Sequence, residues 1–337
     1  MDPENINNNF TQKIASEIFE VDSNNRFEQV ALEIFRYQHA KNPVYREWCS
    51  LVNIQNDTVS RLEDIPFLPA SLFRSQQIIC DDLTPELIFK SSGTTGSNQA
   101  THLVVDSDLY EKSFIKSFSN FYGSPAGTII IALLPSYIER KNSSLLYMCN
   151  KLIQLSGMSE SGFYLNEFDD LLTLLIKLKA ENKKVWLIGV SFALLDFSEL
   201  NPPAWPELIV VETGGMKGRR KELIREALHN EIKKNWPVFH LHSEYGMTEL
   251  LSQAYMDDSG FFRCPPWMKV LSRDPYDPFC VLAHGQSGAL NIIDLANLYS
   301  CSFIQTQDIG TVFSDGSFSV NGRLDHADLR GCNLLIN

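Results

Sequence analysis

Between residues 128 and 242, short apolar runs alternate with segments whose apolar residues recur at helical spacing. The strand-like runs lie within 128–136, 185–191, 207–215 and 238–241. Strands that alternate with helices predict an α/β fold with a largely parallel sheet flanked by helices. Ligands of such sheets bind beyond the carboxyl ends of the strands, where this chain carries small and polar residues.

The segments on either side of this region have different patterns. We predict a helical N-terminal segment at 1–85 packed on the core, an α/β core at 86–278 and a small β-hairpin-rich subdomain at 279–337. Turns at His284-Gly285 and Asp315-Gly316 are expected in the last segment. Two helices have a predicted buried face, formed by Phe27, Val30, Ala31, Ile34 and Phe35 in one and by Leu223, Ile224, Ala227, Leu228 and Ile232 in the other.

Composition excludes several classes of function. The 337 residues include 29 basic and 41 acidic side chains, a net charge of −12, so electrostatic binding to nucleic acid or to an anionic membrane is not expected. Seven cysteines without a CxxC pair indicate neither a disulfide framework nor a zinc ribbon. Without a signal peptide or an apolar run of the roughly 18 residues that a membrane span needs, a cytoplasmic protein with reduced thiols is the simplest expectation.

The stretch "SSGTTGS" at 91–97 lies between two strand-like runs and is rich in hydroxyls and glycine. Exposed backbone amides and hydroxyls can hold phosphate. A Walker A loop is excluded, because no Gly-Lys-Ser/Thr ends the stretch and the next run reads as a strand. The residues alone leave a phosphate site and a solvated turn equally open.

Five motifs in a fixed order carry a resemblance to a known family. They are SSGTTGS at 91–97, ETGG at 212–215, YGMTE at 245–249, QDIG at 307–310 and GRLDHADLRG at 322–331. Together they resemble the adenylate-forming superfamily of acyl-CoA synthetases and luciferases. Within it, the acyl-protein synthetases of bacterial bioluminescence operons are the most similar, with phenylacetate-CoA ligases as more distant relatives. The resemblance covers roughly residues 60–337.

The resemblance implies an ATP site and a Mg²⁺ ligand. Thr248 would donate to the α-phosphate, Glu249 would hold Mg²⁺, and Arg323 would contact ribose or phosphate. Glu249 could instead stand at the start of a helix, where a carboxylate suits the helix dipole. Asp308, expected at the ribose, could instead cap a turn. The remaining nucleotide-binding residues would be Ser91, Ser92, Gly93, Thr94, Thr95 and Gly96 at the β- and γ-phosphates, Gly214, Gly215 and Tyr245 at the adenine, Asp308 at the ribose, and Glu212 and Gly246 beside them.

Two departures from the superfamily affect the expected reaction. Asn98-Gln99 stand where larger synthetases have Pro-Lys, so another cation or weaker triphosphate binding is expected. Only 12 residues follow Asp325, whereas the superfamily continues into a swinging domain of about a hundred residues. We therefore expect that domain to be absent, with a partner or a different second half-reaction in its place.

Cys332 in "RGCNLLIN" matches the cysteine that becomes acylated in acyl-protein synthetases. Its thiolate could take the acyl group as a thioester, and Arg330 could lower the pKa of the thiol. The residue could equally be a small buried apolar side chain. His240 and His242 alternate on one strand and share a face, but the sequence offers no further metal ligand for them, so packing or a role for His242 in the acyl or carboxylate pocket is favoured.

The predicted function is ATP-dependent activation of a carboxylic acid, with transfer of the acyl group to a thiol. A fatty acid is the favoured substrate. The acceptor would be Cys332, an acyl carrier protein or CoA, and a reductase or transferase could be the partner. Two alternatives stay open. One is a CoA ligase of the phenylacetate type, and the other is a non-catalytic protein that binds nucleotide or acyl groups.

Overall fold

A computed structural model describes residues 3–81, 83–92, 99–135, 142–165, 167–214 and 223–324, with side chains from residue 10 onward. Within these ranges, no helix is both long and apolar enough to cross a membrane. The chain divides into two compact units. One combines Met1–Pro85 with Pro266–Asn337, and the other is Glu86–Pro265.

Helices and strands of the described residues are numbered here in chain order. The helices are α1 (Pro3–Glu17), α2 (Asn24–Lys41), α3 (Pro43–Leu51), α4 (Ser107–Tyr122), α5 (Ser144–Ser156), α6 (Phe168–Ala180), α7 (Ser191–Ser198) and α8 (Arg225–Asn235). The strands are β1 (Leu68–Pro69), β2 (Leu87–Lys90), β3 (Thr101–Val104), β4 (Ile129–Leu133), β5 (Gly162–Phe163), β6 (Val185–Val190), β7 (Ile209–Thr213), β8 (His240–Tyr245), β9 (Ala254–Met256), β10 (Phe262–Arg263), β11 (Met268–Arg273), β12 (Ser287–Asp294), β13 (Phe303–Val312) and β14 (Phe318–Arg323).

The unit Glu86–Pro265 contains a sheet with a parallel centre. Its strand order is β5-β4-β6-β7-β8-β9-β10, in which the pairs from β5 to β8 are parallel and the last two are antiparallel. Helices α5 to α8 connect successive parallel strands, as crossover connections require. Every residue of β4 and β6 is buried, because helices cover both faces of a parallel sheet. The predicted α/β fold is confirmed.

The unit that joins both chain ends contains helices α1 to α3 and an antiparallel sheet of order β11-β12-β13-β14, with β1 parallel to β13. The predicted buried face of α2 is confirmed, since Phe27, Val30, Ala31, Ile34 and Phe35 are all at most 2% exposed. Buried Gln38 donates from Nε2 to the carbonyls of Asn297 and Leu298, each at 2.9 Å, and so ties α2 to the segment before β13.

Two local predictions needed correction. Helix α8 begins at Arg225, so Leu223 and Ile224 precede it and are 39% and 68% exposed instead of buried. Leu228 and Ile232 do form its buried face. The turn at Gly285 follows Val281, which forms a single bridge with Arg273 instead of a full strand, whereas Asp315-Gly316 does connect the two strands of the β13–β14 hairpin.

Candidate active site

Strands β2 and β3 pair in an antiparallel hairpin whose connection is the predicted phosphate-binding stretch. Ser91 anchors the base of this connection. Its backbone N–H donates to the carbonyl of Ala100 at 3.0 Å, and its Oγ accepts from the Ala100 N–H at 3.0 Å. Ser92 is exposed. Gly93, Thr94, Thr95 and Gly96 lie outside the described residues, so their predicted phosphate contacts stay a prediction.

His102 joins this hairpin to the loop that follows β8. Its side chain is fully buried, and its Nδ1 lies 2.8 Å from the carbonyl oxygen of Thr248. A carbonyl only accepts, so the imidazole carries its hydrogen on Nδ1 and donates. His102 and Thr248 are 146 residues apart in the chain, and this hydrogen bond places the strand after the SSGTTGS motif beside a residue of the YGMTE motif.

A buried carboxylate sits where β6, β7 and β8 end. Glu212 pairs in register with Gly189 on one side and with Ser243 on the other. Its Oε1 accepts from Ser191 Oγ at 2.5 Å, and its Oε2 accepts from Ser243 Oγ at 3.1 Å. Burial raises the pKa of Glu212, although these hydrogen bonds and the charge of Arg225 act in the opposite direction.

The hydroxyl of Ser191 serves two acceptors at this edge of the sheet. It contacts the carbonyl of Gly214 as well as Glu212. Gly214 has a φ of 65°, which a residue with a side chain rarely adopts, and it begins the turn after β7. Ser191 therefore fixes both the carboxylate and the first residue of that turn. Gly215, the second glycine of the motif, is not among the described residues.

His229 on α8 extends this network by one step. Its Nε2 lies 3.2 Å from Ser243 Oγ. Ser243 has one hydrogen, which it gives to Glu212, so His229 donates and the three side chains form a directional chain. Burial, followed by the charge of Arg225, lowers the pKa of His229 to about 4. The imidazole is therefore neutral at physiological pH.

A second carboxylate, Glu244, projects from β8 on the opposite face from Ser243, because side chains alternate along a strand. It accepts from Thr213 Oγ1 at 2.5 Å. Burial raises the pKa of Glu244 to about 7, and the charge of Glu212 adds to this effect. A Cβ on Gly246 would collide with Oε1 of Glu244, so glycine at 246 allows the chain to turn directly beside this carboxylate.

The last residue of β8 and the loop after it include three more of the predicted residues. Tyr245 is 8% exposed and makes an edge contact with Phe262, with ring centroids 5.8 Å apart. Thr248 is partly exposed, and Glu249 is 8% exposed. The carboxylate of Glu249 is a hard oxygen donor, which Mg²⁺ prefers. One protein carboxylate suits an ion that takes its other ligands from water and substrate phosphate.

Asp308 and Arg323 belong to the other unit. They face each other across β13 and β14, and Arg323 Nε lies 3.4 Å from Asp308 Oδ1. The Arg323 side chain is 67% exposed, so the ion pair itself adds little stability. The predicted site residues thus form two groups, one in each unit, and Cys332 falls beyond the described residues.

The chain is similar to several known proteins in sequence or in fold. No family model matches the chain. The long-chain-fatty-acid–luciferin-component ligase of Vibrio harveyi is 24% identical over 302 residues, which span 82% of this chain and 77% of that protein. Among solved structures, a 2-hydroxyisobutyryl-CoA ligase in complex with 2-HIB-AMP and CoA superposes with a TM-score of 0.64 at 12% identity, over 89% of this chain and 72% of that one.

The chain has the adenylate-forming fold. The resemblance to this superfamily that the five motifs indicated is confirmed. A third comparison agrees. The structure of ATP-bound MatB from Rhodopseudomonas palustris aligns over 72% of this chain and 49% of the MatB chain, with a TM-score of 0.51 and 15% identity.

Within this adenylate-forming fold, the sequence motifs missed several residues of the site. His102 lies on β3 opposite Phe89, outside every motif, and nothing in the sequence indicated its contact with Thr248. Ser191 and Glu244 follow or end predicted strands, but nothing in the sequence paired them with Gly214 and Thr213. His229 lies on a predicted helix face and gave no signal at all.

Proposed function

We propose that this protein activates a carboxylic acid with ATP and transfers the acyl group to a thiol. A carboxylate oxygen of the acid attacks the α-phosphorus, and the bond to the bridging oxygen breaks as pyrophosphate leaves. A thiolate then attacks the acyl carbonyl and AMP leaves. The hydrogen bond from His102 to Thr248 is the observation that carries this proposal, because it joins the strand after one motif to a residue of the other, and both motifs would act on one triphosphate.

Each predicted residue has a part in this scheme. The 91–96 segment, from Ser91 to Gly96, would hold the β- and γ-phosphates, and Thr248 would donate to the α-phosphate as negative charge builds there. Glu249 would hold Mg²⁺, which neutralises phosphate charge when it is bound. Glu212, Gly214, Gly215, Tyr245 and Gly246 would surround the adenine, while Asp308 and Arg323 would contact the ribose and the phosphates.

The substrate we propose is a long-chain fatty acid. The name of the Vibrio harveyi relative supports this class, and that relative is a ligase, in agreement with the enzyme class predicted from the sequence. The acceptor we propose is Cys332. Among the cysteines of the described residues, burial raises the pKa of Cys49 to about 12 and also raises the pKa values of Cys80, Cys149 and Cys301, which makes their thiols poor nucleophiles.

CoA is the second candidate acceptor. It is favoured by the solved structure of the 2-hydroxyisobutyryl-CoA ligase, whose complex includes CoA. A protein that uses CoA would release a soluble acyl-CoA and would not retain acyl label. The two acceptors are therefore distinguished by where the label is found.

Exchange of labelled pyrophosphate into ATP tests the first half-reaction. We expect exchange that requires Mg²⁺ and an acid, and that is strongest with palmitate or myristate in a panel running from acetate to arylacetates. Glu249→Gln should reduce the exchange rate by about 100-fold, since it removes the charged ligand of the ion. Exchange that is absent with every acid would leave a non-catalytic binding protein as the better description.

A further inference from the structure

Three potential metal ligands converge at the end of β8 opposite to the Tyr245–Glu249 loop. His240 and His242 share a face of this strand, and Asp258 follows β9 in the tight turn toward β10. One ligand atom from each residue lies within 4.8 Å of the others. The two imidazole rings have centroids 6.0 Å apart and are nearly perpendicular, at 73°.

The orientation of His242 leaves one nitrogen directed at this cluster. The ring stacks on Tyr122, with centroids 5.8 Å apart, and Nδ1 lies 3.4 Å from the Tyr122 hydroxyl. The residue is 7% exposed, and its Nε2 is buried without a hydrogen-bond partner among the described residues. Asp258 Oδ1 lies 3.5 Å from that Nε2. A hydrogen bond on Nδ1 that leaves Nε2 free is the arrangement typical of a metal-ligating histidine.

The spacing of the donor atoms suits a small divalent ion. Asp258 Oδ2 lies 2.6 Å from His240 Nδ1, and Asp258 Oδ1 lies 3.5 Å from His242 Nε2. Two ligands about 2.0–2.1 Å from one tetrahedral ion are about 3.3 Å apart, which falls between these values. The neighbouring Asp257 is committed to the turn, because its Oδ1 accepts from the Ser259 N–H at 2.9 Å. Asp258 is therefore the carboxylate available to an ion.

We propose that His240, His242 and Asp258 bind a divalent transition-metal ion, for which Zn²⁺ is the probe that best matches two imidazoles and one carboxylate. Three protein ligands leave a fourth position for water. The ion would fasten the start of β8 to the end of β9. These two strands form the hairpin whose connecting loop carries Thr248 and Glu249, and the metal would stiffen that hairpin from its other end.

Binding of Zn²⁺ to the chelator-treated full-length protein tests this proposal directly. We expect isothermal titration calorimetry to give one equivalent per chain. His240→Ala and Asp258→Asn change side chains that are 43% and 54% exposed, so both variants should fold, and each should weaken binding at least about tenfold. His284→Ala, which removes an exposed imidazole elsewhere, should bind as the wild type does.

Co²⁺ in place of Zn²⁺ reports which atoms bind. We expect visible bands of a nitrogen- and oxygen-ligated ion without the thiolate charge-transfer band that Cys264 or Cys280 would produce. Equal affinity in wild type, His240→Ala and Asp258→Asn would overturn the proposal. So would the absence of stoichiometric binding in the wild type, which would leave the contact of His240 with Asp258 as a simple ion pair.

Discussion

At the scale of single residues, His102 connects the two motifs whose joint action the proposed function requires. His102→Leu would leave the carbonyl of Thr248 without this donor, and we expect KM for ATP to rise about five- to tenfold in the exchange assay. His102→Asn is the matched control, because its side-chain amide can place an N–H close to the position of Nδ1. Equal KM values for the two variants would mean that the hydrogen bond does not order the loop.

Ser191 also connects separate parts of the site, through a single hydroxyl. Ser191→Ala would leave the buried Glu212 and the carbonyl of Gly214 short of a donor, and we expect the free energy of unfolding to fall by about 2 kcal/mol. Ser198 is buried in the same helix, but its hydroxyl only returns to the carbonyl of Leu195 at 2.7 Å. Urea unfolding should therefore show a much smaller loss for Ser198→Ala, and similar losses would contradict the prediction.

At the scale of secondary-structure elements, β13 and β14 approach each other too closely at one point for a side chain. A Cβ on Gly310 would collide with the backbone carbonyl of Ser319, beside the register shift between Ile309 and Gly310. Backbone cannot move aside cheaply, so Gly310→Ala should destabilise the unit by at least about 2 kcal/mol in urea unfolding. Gly322→Ala lies in the same ladder with nothing within 4 Å of its Cβ, and it should be nearly neutral.

The packing of α8 against β8 makes stability depend on pH through His229. Its pKa is 6.5 in an ordinary setting and about 4 in the folded protein, so below pH 6.5 the unfolded chain binds a proton that the folded protein does not. Stability that is fully present above pH 6.5 is lost as pH falls toward about 4, by up to about 3 kcal/mol.

The variant His229→Gln isolates this effect, because its amide can still donate to Ser243 but does not titrate. Urea unfolding at about pH 7.5 and about pH 4.5 should show a larger loss for the wild type than for His229→Gln. His284→Gln, which changes an exposed imidazole, should follow the wild type. A wild type and a His229→Gln variant with the same pH dependence would contradict the prediction.

The sequence predicted those elements whose pattern is local. The sequence pattern predicted strands β4 and β6 and the buried face of α2, because burial leaves runs or periods of apolar residues. It also predicted the end of α5 at Gly157, whose φ is 64°, because glycine commonly ends a helix in this conformation. The start of α8 was not predicted correctly. Leu223 and Ile224 continue the apolar period of the helix, and only their tertiary surroundings decide that they precede it.

The candidate site likewise contains residues that the sequence indicated and residues that only the fold revealed. Motifs gave the residues at the ends of β7 and β8, since these follow strands and contain glycine. Contacts between distant segments gave no sequence signal, and His102, Ser191 and Asp258 were found only through their partners Thr248, Glu212 and His240. His240 and His242 were recognised as sharing a face, but a third ligand 16 residues beyond His242 became visible only in the fold.

At the scale of the whole molecule, the two units carry different motifs. The unit Glu86–Pro265 contains the SSGTTGS, ETGG and YGMTE motifs. The unit that joins both chain ends contains QDIG, the GRLD segment and Cys332. In the proposed function, the first set would serve adenylation together with Asp308 and Arg323, and Cys332 would take the acyl group. A variant of the cysteine should therefore separate the two half-reactions.

Cys332→Ser tests this separation. Wild-type protein incubated with ATP, Mg²⁺ and a labelled fatty acid should retain label through denaturation and release it with hydroxylamine, as a thioester does. Cys332→Ser should lose this hydroxylamine-labile label by at least about 100-fold and yet keep pyrophosphate exchange close to the wild-type rate, because adenylation precedes the step that needs the thiol. Cys280→Ser, which changes an exposed cysteine, should retain both activities. Label that persists on Cys332→Ser would place the acyl group elsewhere, and label that appears only on added CoA would identify CoA as the acceptor.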